Sequence, residues 1–306
     1  MPDIPDASIS PKSVSEVSAA LKEYGYLADQ GLATVIFLAV TLNRPLLLEG
    51  ESGVGKTEVA NVISQWTGGK LLRLACYEGI TADQALYEWD YARQILQARI
   101  IENGTDHLDV DDLYSEKFLI RRPLLQAIDH ANAVPPVLLI DEVDRADDEF
   151  EAFLLEILSD SSVTIPEIGT LKAEVPPIVV LTSNRTRDLH DALKRRCLYH
   201  WIDHPNVERE IAIVRLRAPE VSPALAQQVA EVVEVLRTRN LSKPPGVAET
   251  IDWAKALWAL GAKEMTPDLA TATAGAVLKY HEDNEMINDE GFESLLAQAG
   301  ERSVSR

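Results

Sequence analysis

Sulfur, positive charge and long apolar runs are all scarce in this 306-residue chain. Its two cysteines, Cys76 and Cys197, are too few for the disulfide framework that holds small secreted domains. No basic-then-apolar leader opens the chain, so a cytoplasmic protein is expected. The longest apolar run, Leu32 to Leu42, ends at Asn43-Arg44-Pro45. That is well short of the roughly 20 residues a membrane-spanning helix needs, so no transmembrane segment is expected. The 29 lysines and arginines face 49 aspartates and glutamates, for a formal net charge of −20. Proteins that run along duplex DNA carry a basic footprint for its phosphates, so nucleic acid is not an expected partner. His200 and His204 are four apart, but strand-like Trp201-Ile202-Asp203 between them separates the rings, which argues against a zinc pair.

Against these absences stands one dense motif. Gly50-Glu51-Ser52-Gly53-Val54-Gly55-Lys56-Thr57 fits G-x-x-x-x-G-K-[ST] at every fixed position. Glycines let backbone N–H groups turn toward a phosphate with no Cβ in the way. Lys56 is placed to reach the β- and γ-phosphate oxygens, and the Thr57 hydroxyl to ligate Mg2+. Pro45-Leu46-Leu47-Leu48-Glu49 before the motif suits a buried strand. Thr57 to Trp66 after it reads as a helix whose N-terminus faces the phosphates, with Glu58 on its first turn. A nucleoside triphosphate site is therefore expected over Gly50–Glu58.

A second element matches the first. Val137-Leu138-Leu139-Ile140 is fully apolar, as a central parallel strand covered on both faces must be. It ends in Asp141-Glu142, at the carboxyl end where ligands sit in open α/β sheets. Asp141 is expected in the Mg2+ shell. Glu142 is expected to orient and polarise the attacking water, since phosphoryl transfer needs positioning and charge stabilisation above all.

Punctuation along the chain predicts the rest. Residues 1–12 are rich in Pro, Asp and Ser and are expected to be flexible. Ser13-Val14-Ser15-Glu16 predicts a capping box and a helix to about Tyr24, followed by an apolar helix to Leu42. Lys70 to Cys76 reads as a strand. Thr81-Ala82-Asp83-Gln84 caps a helix predicted to continue to Asn103-Gly104. Residues 105–117 are acidic and irregular. Val163-Thr164-Ile165 and Leu171-Lys172-Ala173 predict a hairpin, and Ile178 to Thr182 another strand. From about Pro205 the pattern is helical: 207–218, 223–239, 247–261 and 267–284. The predicted organisation is an α/β P-loop NTPase core over 13–204, a smaller all-helical lid over 205–290, and a flexible tail over 291–306.

Phosphate loop, acidic strand end, polar strand end, paired arginines and helical lid come in an order that resembles the AAA+ ATPases. That resemblance implies a first-sensor role for Asn184, which helps position the attacking water. It implies an arginine finger at Arg196, with Arg195 the close second, acting on the nucleotide of a neighbouring copy. It further implies a homo-oligomeric ring, usually a hexamer. Adenine contacts fall on Tyr26 and Leu27 in the link before the core. Leu139-Ile140-Asp141-Glu142-Val143-Asp144-Arg145-Ala146 is similar to the acidic motif of the MoxR branch. Cys76-Tyr77-Glu78-Gly79-Ile80-Thr81-Ala82-Asp83-Gln84-Ala85-Leu86-Tyr87-Glu88-Trp89 is similar to the CoxD-like group within it. That group is associated with assembly of the carbon monoxide dehydrogenase active site. The resemblance thus implies an ATP-hydrolysing remodelling chaperone with a von Willebrand factor A domain partner and a metalloenzyme client. Two other readings share the motor: a nucleic-acid translocase, disfavoured by the acidic composition, and a nucleotide-gated scaffold with little turnover.

One departure stands out. Many relatives carry a nucleotide-sensing arginine at the start of the third lid helix. Here Pro244-Pro245-Gly246-Val247-Ala248-Glu249 places Ala248 or Glu249 there, and Arg237, Arg239 or Lys243 are the available substitutes.

Overall fold

The structure, a computed structural model, describes residues 11–102 and 113–304. The flexible stretch expected over 1–12 lies almost wholly outside the described residues. So do the end of the helix expected to reach Asn103-Gly104 and most of the acidic segment 105–117. The chain forms two compact units. One takes the N-terminal segment through Tyr24, then Ala28–Glu49 and Thr57–Trp201. The other takes Gly25–Leu27, Gly50–Lys56 and the chain from Ile202 onward.

In the first unit, α1 (Val14–Glu23) is capped by the Ser13 hydroxyl, which accepts from the Glu16 N–H at 3.2 Å. The return arm of the expected box is displaced: Glu16 accepts from the Lys12 N–H at 2.8 Å, one residue before the cap. Helix α2 (Gln30–Leu42) starts at Asp29, whose carboxylate accepts from the Leu32 N–H, and stops at a left-handed Asn43. Strand β1 (Leu46–Gly50), helix α3 (Lys56–Thr67) and strand β2 (Leu71–Ala75) follow.

The helix predicted from Thr81 toward Asn103 is not continuous; it breaks after one turn. Helix α4 (Ala82–Leu86) has the expected reciprocal Thr81–Gln84 cap but ends at Tyr87, whose backbone is extended. Tyr87–Trp89 forms β3, and helix α5 begins again at Tyr91 (Tyr91–Glu102). β3 pairs antiparallel with β4 (Leu119–Arg121), putting Trp89 opposite Leu119 in the core. An aromatic pair at period two buries more as a strand than as helix surface, and tertiary pairing overrides the local helical pattern.

Helix α6 (Pro123–Ile128) precedes β5 (Val137–Asp141), which is buried along its whole length. Removing each of its large aliphatic side chains from water contributes roughly 1.5–3 kcal/mol. Helix α7 (Asp148–Asp160), capped by Asp147, leads to the hairpin β6 (Ser162–Ile165) and β7 (Gly169–Lys172). Strand β8 (Ile178–Ser183), helix α8 (Asp191–Arg196) and strand β9 (Leu198–Ile202) complete the unit. The main sheet runs β2-β5-β8-β1-β9. Its β2–β5, β5–β8 and β8–β1 pairings are all parallel. The polar-ended strand β8 therefore lies between the phosphate-loop strand and the acidic strand.

The second unit is helical: α9 (Val207–Arg217), α10 (Pro223–Arg237), α11 (Val247–Ala259), α12 (Pro267–Val277), α13 (His281–Glu290) and α14 (Phe292–Val304). Its core gathers around the fully buried Trp253, whose indole N–H donates to the Thr273 hydroxyl at 2.7 Å. Trp258, on the same helix, stays exposed.

Two expectations fail here. The helix predicted over 267–284 is interrupted at Leu278, where the backbone turns extended, and resumes at His281. Leu278 is buried, so the bend serves the core. Of the tail predicted to be flexible over 291–306, residues 292–304 instead form α14, and 305–306 lie outside the described residues. Gly291, at φ 82°, allows the turn into it. Phe292, Leu295 and Ala299 then fall on one helical face and are buried against the same core.

Candidate nucleotide site

The phosphate loop follows β1 and runs directly into α3. Gly53 sits at φ 83° and Gly55 at φ 96°, conformations that side-chain-bearing residues rarely adopt. At Gly53 space forbids a side chain as well: a Cβ would come within 3.1 Å of the Gly246 Cα. Lys56 is nearly buried, and its ammonium donates to the Gly50 carbonyl at 2.8 Å and the Glu51 carbonyl at 2.6 Å. A compact cation on a loop that lacks a Cβ at Gly50, Gly53 and Gly55 fits a phosphate chain. Val54, Gly55 and Ser52 complete that loop. The Glu51 carboxylate meets His204 Nε2 at 3.0 Å.

Within the same unit the loop meets two other segments. The Tyr26 ring comes within 3.6 Å of the position a Gly55 Cβ would take. The neighbouring Leu27 carbonyl accepts from Arg209 Nε at 3.0 Å. The N–H of Val247, first residue of α11, donates to the Gly53 carbonyl at 3.0 Å. Glu249, not Ala248, faces the loop, with a carboxylate oxygen 2.9 Å from where a Gly53 Cβ would stand. Arg237 is committed elsewhere, paired through both Nη atoms with the buried Glu210 at 2.6 and 2.7 Å. Arg239 is held by Glu290 and Gln298. Lys243 is the cation beside Glu249, at 4.0 Å.

The first unit brings Thr57, Asp141, Glu142 and Asn184 together. Thr57 Oγ1 donates to Asp141 Oδ1 at 3.0 Å. Thr182, on β8, donates to the same oxygen at 2.6 Å and accepts from the Glu142 N–H at 2.9 Å, linking the two acids through one hydroxyl. Glu142 sits at φ 54° in the left-handed region, a conformation costly for a glutamate. Asn184 Nδ2 donates to Glu142 Oε1 at 3.2 Å, and Arg145 Nη1 donates to Oε2 at 3.1 Å. Glu58 accepts from Asn61 Nδ2 at 2.8 Å on the first turn of α3.

Arg195 and Arg196 are not part of this cluster. Both are exposed at the end of α8. Arg196 donates to the Ser159 hydroxyl at 2.6 Å and the Ala192 carbonyl at 3.2 Å.

Several site residues are not evident from the sequence. Arg73 Nη2 lies 2.5 Å from Asp141 Oδ2. It is the one charge in the strand Leu71-Leu72-Arg73-Leu74-Ala75, and that interruption was the available signal. Asp144, almost fully buried, accepts from the N–H groups of Asn184 (3.2 Å) and Thr186 (2.8 Å), shaping the turn that carries Asn184. The carboxylates together make this end of the sheet strongly negative. Burial, reinforced by Asp141, Asp144, Glu142 and Glu151 in that order, pushes the Cys76 thiol up to about 12. Burial and the hydrogen bond to Glu49 likewise raise Tyr199.

A five-stranded sheet with a parallel core, a glycine loop following β1, an acid pair on β5 and β8 between them define a P-loop ATPase of the AAA+ fold, with a helical C-terminal region. The chain belongs to the AAA domain family, dynein-related subfamily, whose profile matches residues 45–197. No curated protein sequence matches it. Among solved structures it is similar to a mutant form of RuvB from Thermotoga maritima, with 18% identity and a TM-score of 0.49, covering 90% of this chain and 76% of that one. NtrX from Brucella abortus, solved in complex with ATP, is similar at 15% identity and a TM-score of 0.48, covering 78% and 54%. No helix among the described residues is long and apolar enough to cross a membrane.

Proposed function

We propose that the chain hydrolyses ATP and works as a MoxR-type remodelling chaperone, closest to the CoxD-like group, in a homo-oligomeric ring that the family resemblance makes hexameric. The observation that carries the hydrolytic reading is the Glu142 carboxylate, fixed by Asn184 on one oxygen and Arg145 on the other, one residue beyond Asp141.

ATP with Mg2+ is the substrate in this reading. Lys56 and the backbone amides of the Gly50–Thr57 loop hold the phosphates. Thr57 and Asp141 would hold the Mg2+, whose charge would offset that of the phosphate oxygens. Glu142 accepts a hydrogen bond from the attacking water and draws off its proton, while Asn184 keeps the carboxylate from rotating away. Tyr26 and Leu27 are assigned to the adenine. Arg196, or Arg195 beside it, serves the site of a neighbouring copy; both are solvent-exposed at a helix end, as a residue acting outside its own chain must be. The client is a metalloenzyme awaiting maturation, and the companion a von Willebrand factor A domain protein.

A Glu142→Gln variant tests both halves. It is expected to keep ATP binding and lose about a hundredfold or more of turnover, the usual cost of removing a general base. Normal turnover would end the hydrolytic assignment. Loaded with ATP and used as bait in the host lysate, the same variant should enrich the von Willebrand A protein or a metalloenzyme subunit over a Lys56→Ala control. Enrichment of nucleic-acid proteins that disappears on nuclease treatment would move the reading to a translocase.

A further inference from the structure

We propose that Arg73 is a built-in counter-cation for Asp141, one that a divalent metal must displace when the site loads. The proposal rests on the nucleotide-binding reading above and adds a regulatory residue to it.

The argument begins with how fully Asp141 is used. Its side chain is 6% exposed, and both oxygens are taken. Oδ1 accepts from the Thr57 and Thr182 hydroxyls, and Oδ2 from the Arg73 guanidinium. The two hydroxyls approach from α3 and β8 and are neutral, so neither offsets the carboxylate's charge. Arg73 is the partner that does, and a guanidinium does not deprotonate in proteins, so its charge is permanent.

The surroundings make such a cation necessary. Glu142 and the buried Asp144 follow within three residues. Leaving Asp141 unpaired among them would be costly, because like charges at a buried site repel strongly.

The same geometry makes Arg73 removable. Its side chain is 58% exposed even though its partner is buried. It stands on β2, the edge strand of the sheet order β2-β5-β8-β1-β9, where no further strand among the described residues confines it. A long side chain at an edge can swing into water at the expense of one ion pair, whereas Thr57 and Thr182 are fixed by helix and central strand. Arg73 therefore holds the carboxylate in its binding rotamer and then gives way. It is a positioning residue that also sets how much metal the site demands.

The experiment measures binding rather than turnover. Mg2+ is titrated into the full-length protein carrying a fluorescent ATP analogue, for wild type, Arg73→Met and Arg73→Lys. The Met variant is expected to reach half-saturation at about three- to tenfold lower Mg2+, the range for losing a competing, partly exposed charge-assisted contact. Arg73→Lys, which keeps the charge without the planar fork, is expected between the two. Melting temperature without nucleotide is followed in parallel. A role confined to stability would lower it and leave the Mg2+ midpoint unmoved, and that result overturns the proposal. A higher Mg2+ requirement in the Met variant overturns it too, since Arg73 would then assist the metal. Failure of the wild type to bind the analogue at any Mg2+ concentration would remove the nucleotide reading itself, and this proposal with it.

Discussion

Asn184, at the end of β8, donates its side-chain amide to the carboxylate of Glu142, at the end of β5, across 3.2 Å. The two residues are 42 apart in sequence and meet because β8 and β5 are adjacent parallel strands in register, with Ile140 opposite Leu181. An Asn184→Ala variant leaves Glu142 with Arg145 but without its second tether. Turnover is expected to fall about tenfold to a hundredfold with ATP affinity little changed, because in the proposed mechanism the bond orients the general base rather than substrate. Steady-state kinetics beside equilibrium ATP binding checks this. An equal loss of affinity would show that Asn184 contributes to binding instead.

The ion pair between Arg237 and Glu210 is deeply buried in the second unit, and Glu210 also accepts from the Thr250 hydroxyl at 2.6 Å. Arg237→Ala would strand a carboxylate in the core. Destabilisation of about 3–5 kcal/mol is expected, the usual consequence of removing one partner of a buried pair. Denaturant melts provide the number. Arg237→Ala combined with Glu210→Gln should recover part of it, because the stranded charge is then gone.

Helix α14 buries Phe292 and Leu295 in the core of the second unit. Phe292→Ala is expected to destabilise that unit by about 3–5 kcal/mol, as large core deletions do. Truncation before Gly291 should be worse. A chain cut there that melts like the full-length protein would show that α14 adds nothing to the core.

Burial pushes both thiols up to about 12, with acidic neighbours adding to the shift at Cys76 and Arg44 and Arg196 opposing it at Cys197. The ordinary value is 9.0. The fold therefore favours the protonated thiol. That contribution to stability is whole below about pH 9 and is lost as pH rises from there toward 12. At pH 8 neither thiol should react with an aromatic disulfide reagent until denaturant is added. Fast labelling of the native protein would contradict the buried placement.

Local signals carried much of the architecture. The phosphate loop, the all-apolar run into Asp141-Glu142, the hairpin and the switch to helices were legible because each is written in consecutive residues. The failures share a cause as well. Tyr87–Trp89 fits a helical stretch until β4, some thirty residues later, offers it a partner. The 291–306 segment looked like a tail because its three core residues are spread among polar ones, and only the groove beside α10 gives that face something to cover.

Residue order alone dictates the chemistry on offer: a lysine and threonine on a glycine loop, and an aspartate and glutamate at a strand end. These follow from local backbone geometry, in which spacing sets what a segment can hold. Which groups share the site is instead a matter of strand order. β8 is inserted between β1 and β5, so Thr182 bridges Asp141 and Glu142, and Asn184 reaches Glu142. β2 lies on the other side of β5, so Arg73 meets Asp141. Parallel pairing joins residues through crossovers dozens of positions long, and no local pattern specifies which strands become neighbours.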